Sequence, residues 1–176
     1  MLSSFKTLGA AVCLVFALCF AAPSAHADTF TYTYTGVNLA TAFISPYTAS
    51  DSVDGTVVLS AALPSDASFA DESALIVSYS FTDGVQTLTN LNSTVLSFTF
   101  TTIAGTIQRW SVGFVDGTQE IATFATPSNQ IGQFGGSTVL GEPFGTSFGV
   151  GTWSGPVVAT ATPEPSSLAL MLPQSG

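Results

Sequence analysis

From Asp28 to Thr35 the chain places Phe30, Tyr32 and Tyr34 on one parity and Thr29, Thr31, Thr33 and Thr35 on the other. A period of two is the period of a β-strand, whose successive side chains point to opposite faces. This segment therefore has one face for a core and one hydroxyl-bearing face for water. The pattern returns over Ala74–Thr82 (Leu75, Val77, Tyr79, Phe81), Thr94–Ile103 (Leu96, Phe98, Phe100) and Thr106–Val115 (Trp110, Val112, Phe114). Val53–Ser60, Val85–Leu91 and Thr118–Phe124 add further strands. Asp83-Gly84, Ala104-Gly105 and Asp116-Gly117 separate successive runs and predict three hairpins in an antiparallel meander. Asp83-Gly84 suits a type I′ turn, which needs positive φ at both central residues.

No segment carries the 3.6-residue period of a helix. Leu63–Ala74 has room for one short helical turn opening at Pro64-Ser65-Asp66. Thr126–Gly155 is rich in glycine and reads as long loops with late strand structure such as Thr146–Trp153. Together these features predict an all-β domain over 28–160, a single antiparallel β-sandwich or jelly roll.

Charge narrows the functional classes. Charged residues make up 7% of the chain, with 2 Lys+Arg against 11 Asp+Glu. Nucleic-acid binding needs a basic face to neutralise phosphates, and Lys6 and Arg109 are isolated. A polybasic membrane-surface module is excluded on the same ground. With 46% hydrophobic residues the chain is not a disordered acidic tail.

The N-terminus has the form of a secretory signal peptide over 1–27. Lys6 provides the positive n-region, an apolar run extends from Thr7 to Ala22, and Ala25 and Ala27 are the small residues that signal peptidase reads. Cleavage before Asp28 removes Lys6, His26, Cys13 and Cys19. The expected mature chain then has Arg109 as its one cation, lacks Cys, His and Lys, and is held by its core rather than by disulfides.

That loss starves most catalytic motifs. Gly145-Thr146-Ser147-Phe148-Gly149 fits a G-x-S-x-G elbow, but its serine has no His or Lys base. Zinc and Schiff-base sites lack their residues in the same way. No catalytic residue, metal site or cofactor is assigned. Carboxylates remain for a glycosidase or lyase, in the pairs Asp51/Asp54, Asp71/Glu72 and Asp116/Glu120, each beside a turn. Asp51-Ser52-Val53-Asp54-Gly55 reads as a turn rather than a calcium loop. For glycan contact the candidates are Trp153, as an exposed indole platform in the Gly-rich segment, Tyr47, and Arg109, whose guanidinium can fork onto a uronic carboxylate or pair with an acid of its own chain. Trp110 is expected in the core.

At the C-terminus, Thr162-Pro163-Glu164-Pro165-Ser166-Ser167-Leu168-Ala169-Leu170 resembles the start of a PEP-CTERM sorting signal. Pro163, Glu164 and Pro165 carry the resemblance as the sorting motif, within a tail over 161–176. The resemblance implies an exosortase as processing partner, and secretion to the extracellular space or cell surface of a Gram-negative bacterium that makes exopolysaccharide. The apolar stretch after Pro165 is short and no basic end follows, so the anchor is truncated and no stable membrane span is expected in the mature chain. Val53-Asp54-Gly55-Thr56 and Phe81-Thr82-Asp83-Gly84-Val85-Gln86 are similar to Thr-rich β-domains that accompany this signal. Three readings stand: a non-catalytic surface or exopolysaccharide-matrix protein, with polysaccharide or other surface proteins as partners; a carbohydrate-binding module; and a carboxylate-only glycosidase or lyase.

Overall fold

A computed structural model of the chain describes residues 27–128 and 131–160. The compact unit Asp28–Ala159 is built almost wholly of strand. In chain order these are β1 (Thr29–Asn38), β2 (Ala42–Phe43), β3 (Ser52–Leu59), β4 (Ala67–Asp71), β5 (Ile76–Thr82), β6 (Thr87–Thr89), β7 (Thr94–Ile103), β8 (Thr106–Asp116), β9 (Gln119–Ala125), β10 (Ile131–Ser137), β11 (Phe144–Ser147) and β12 (Thr152–Ala159). One 3₁₀ turn, Ser73–Leu75, precedes β5.

Two antiparallel sheets pack face to face as a β-sandwich. One has the order β12-β1-β3-β5-β6, the other β11-β10-β9-β8-β7-β4. The alternating parities meet between them. Tyr32 and Tyr34 of β1, Val57 and Leu59 of β3, and Tyr79 and Phe81 of β5 face Phe98 and Phe100 of β7, Trp110, Val112 and Phe114 of β8, and Ile121 of β9. Tyr79 stacks on Phe114 with ring centroids 4.0 Å apart. A short polar chain ties the two layers inside this core. The Trp110 indole donates to Thr123 Oγ1 (3.0 Å), and Thr123 Oγ1 donates to the Tyr34 hydroxyl (2.6 Å). The Tyr34 hydroxyl also accepts from the Gly151 amide (3.0 Å), so these buried polar groups are partnered.

Several local expectations need correction. Between β5 and β6 only Gly84 takes positive φ, so the loop is not a type I′ turn. Asp83 instead uses its side chain to accept the Val85 and Gln86 amides (2.9 and 2.8 Å). That hairpin lies in the five-stranded sheet, apart from the β7–β11 meander. The turn with positive φ at both central residues is Ala104-Gly105 (φ 50° and 76°). Leu96 and Val77 are exposed rather than core-facing; a register shift between Val95 and Ser97 turns Leu96 outward. The segment read as a helical turn holds β4, an edge strand. The Gly-rich segment read as loops holds β10, and Thr146–Trp153 divides between β11 and β12. β10 escapes the alternation rule because its glycines leave no side chain to mark a face.

Candidate functional site

The outer face of the six-stranded sheet carries a groove of about 600 Å³. Its position follows from register. Gly113 of β8 pairs with Ala122 of β9, and Ser111 pairs with Phe124, which pairs in turn with Gly132 of β10. Since Trp110, Val112 and Phe114 point inward, Ser111 and Gly113 point outward. Ser97, Ser111, Ala122 and Gly132 make a floor of small side chains, with Ser97 Oγ and Ser111 Oγ 3.1 Å apart. Phe124, Phe134, Phe148 and Leu96 rise around it. Phe148 is 77% exposed and Leu96 60%, so apolar surface stays in water here, as ligand-binding concavities do.

Glu120 completes the lining and, among the described residues, is its only titratable group. It pairs with Val115 of β8 and Gly136 of β10. Burial raises its carboxyl above the usual glutamate range, because taking the charged form out of water is costly.

A buried carboxylate fixes one wall from behind. Asp83 is fully buried. Besides the two backbone amides, it accepts hydrogen bonds from the Tyr47 hydroxyl (2.6 Å) and Gln86 Nε2 (3.1 Å). Gly135 of β10 passes so close that a methyl group there would collide with the Asp83 side chain. Burial, and then the Asp83 carboxylate, push the Tyr47 phenol far above the usual tyrosine range, so Tyr47 stays protonated and donates. Tyr47 belongs to the strap joining β1 to β3. The strap bonds to β11 through Thr41 N to Thr146 O (3.0 Å) and Ile44 N to Phe144 O (2.8 Å), and Phe148 N donates to Thr41 Oγ1 (3.2 Å). Asp83 thus holds the strap, and the strap holds the strand that presents Thr146 and Phe148 to the groove.

The structure does not bring together the glycan-contact residues expected from sequence. Tyr47 is buried on Asp83. Trp153 is packed against the core, with its ring 5.2 Å from Tyr34 and 5.5 Å from Phe100; the expectation of an exposed indole platform is corrected. A Trp beside glycines looked accessible, but β12 pairs with β1 at Tyr34↔Trp153 and turns the indole inward. Arg109 lies on the outward parity of β8 and donates to the Thr126 carbonyl (2.7 Å), so its observed partner is a backbone oxygen rather than a carboxylate. Ala25, Pro163, Glu164 and Pro165 lie outside the described residues, as does everything expected of the sorting tail.

The carboxylate pairs also separate by role. Asp51 accepts the Thr48 amide (2.7 Å), Asp54 accepts the Gly36 amide (3.1 Å), and Asp71 accepts the Ser73 amide (2.9 Å). The bonds from Ser73 hold the Asp71 carboxyl below its usual range. Asp116 is exposed at the β8–β9 turn and Glu120 lines the groove. Among the described residues no three His, Cys, Asp or Glu groups gather as metal ligands, and no helix is long and apolar enough to cross a membrane.

Sequence reasoning missed Phe124 and the groove itself, although a signal was present. In β9 the outward parity carries Ala122 and Phe124, where other strands put hydroxyls. The sandwich with one aromatic-walled groove on an outer face defines the structural class. No protein-family model matches the chain, and neither the curated proteins nor the solved structures hold a detectable match.

Proposed function

We propose that the protein is an exported, non-catalytic component of a cell surface or extracellular polysaccharide matrix that holds glycan in the groove of its six-stranded sheet. The observation that carries this reading is the chemistry of the lining. A sugar ring presents C–H faces and hydroxyl edges. Phe124, Phe134 and Phe148 offer flat apolar surface to the first, and Ser97, Ser111 and Thr146 offer hydroxyls to the second. The two-carboxylate mechanism of glycoside hydrolysis needs a partner for Glu120 across the scissile bond, and the lining supplies Glu120 alone, which favours binding over hydrolysis. The resemblance of the tail to a sorting signal supports export by a route coupled to exopolysaccharide.

The test is affinity electrophoresis of the protein in gels containing neutral and amino-sugar polysaccharides. Retardation is expected for the wild type. Phe148→Ser, which removes an exposed ring without opening the core, should weaken binding by about tenfold. Equal mobility of both proteins with and without polysaccharide would overturn the reading.

A further inference from the structure

We infer that the groove is selective for cationic amino sugars, with the Glu120 carboxylate receiving the ammonium group of a 2-amino-2-deoxyhexose unit. This deepens the glycan-binding reading and rests on it. Three observations converge. First, Glu120 is half-buried in the lining, and no described residue donates a hydrogen bond to it. A carboxylate held partly out of water gains most from a ligand that brings a charged donor. Second, three phenylalanines, Phe124, Phe134 and Phe148, stand with Leu96 in the walls, and phenyl ring faces attract cations. Third, among the described residues the lining contains no cation to receive a uronic acid or a sulfated sugar.

The charges around Glu120 are consistent in sign. Asp116 in the β8–β9 turn and Glu142 in the β10–β11 loop are both exposed acids. β7, β10 and β11 carry no ionisable side chain. Arg109 lies six residues before Val115, the β8 partner of Glu120, toward the other end of that strand, and is engaged with Thr126. The hydroxyl floor favours a sugar over a lysine side chain, whose aliphatic stem has nothing to offer Ser97, Ser111 or Thr146.

Binding should be strongest where the amine is protonated and Glu120 ionised. Because burial raises the Glu120 carboxyl, the lower limit of that window lies above the ordinary glutamate range. The experiment is calorimetric titration of the purified protein with glucosamine oligomers, N-acetylglucosamine oligomers of equal length, and oligolysine of equal charge. The expected result is about tenfold tighter binding of the free-amine oligomer than of the acetylated one. Glu120→Gln should bring the ratio to near one while leaving the acetylated oligomer unchanged. Glu142→Gln, outside the groove, should keep the preference. Equal binding of the two sugars to the wild type would overturn the amino-sugar inference and leave the groove reading standing. Oligolysine binding as tightly as the glucosamine oligomer would overturn it in favour of a basic peptide. No binding of any oligomer would overturn both.

Discussion

Asp83 shows how one residue can set the shape of a distant wall. It accepts four hydrogen bonds while fully buried, and one of them ties down the strap that joins β1 to β3. Removing a partner from a buried charge costs more than removing an exposed bond, because the charge keeps its desolvation penalty. Tyr47→Phe should therefore destabilise the fold by about 1.5–3 kcal/mol in urea unfolding, and it should loosen β11 in hydrogen exchange before the rest of the sheet. Glu120 should behave in the opposite sense. Its carboxyl titrates higher in the folded state than in the unfolded chain because of burial, so the folded state holds its proton to higher pH. Below the unfolded-state titration both states are protonated and no penalty arises; as pH rises through the folded-state titration, ionisation costs stability. Glu120→Gln should raise Tm at neutral pH, and the difference should vanish on acidification. A Tm difference that grew as pH fell would contradict this sign.

At the scale of elements, the hairpins show where alternation is informative and where it stops. β7 and β8 are joined by Ala104-Gly105 with positive φ at both residues, a conformation that costs an L-residue with a Cβ about 1 kcal/mol or more. Ala104→Gly relieves that strain at some entropic cost, and Ala104→Asn tolerates the left-handed region with less. Ala104→Asn is therefore expected to stabilise the protein by up to ~1 kcal/mol, read as a higher urea midpoint at unchanged slope. β1 and β7 were legible because aromatic residues recur on one parity against Thr and Ser on the other, and β3 and β8 because Val53 and Val57, and Trp110, Val112 and Phe114, recur on one parity. β10 was not, since Gly132, Gly135 and Gly136 carry no polarity to alternate, and its strand is fixed by pairing with β9 and β11. The Asp83-Gly84 signal located a real reversal but not its geometry, because the carboxylate of Asp83 competes with the backbone for the turn amides. Trp153 and Tyr47 were legible as important aromatics and misplaced on the surface: pairing with β1 and the bond to Asp83 are long-range contacts that no local pattern records.

Across the whole molecule the two outer faces differ in kind. The five-stranded sheet presents aligned hydroxyls, with Thr33, Thr56 and Ser80 side by side on β1, β3 and β5. The six-stranded sheet presents phenylalanines around a floor of small residues, with one carboxylate. Hydroxyls on the first face help to hydrate a chain with few charges, while on the second face Phe148 and Leu96 stay exposed around the groove. Net charge separates the partners further, since 11 acids against 2 cations disfavour polyanions on every side. The most direct test is an amide chemical-shift map of the protein titrated with a glucosamine oligomer. Shifts are expected at Ser97, Ser111, Ala122, Phe124, Thr146 and Phe148, with Thr33, Thr56 and Ser80 unmoved; shifts concentrated on the threonine face, or none at saturating oligomer, would contradict the account.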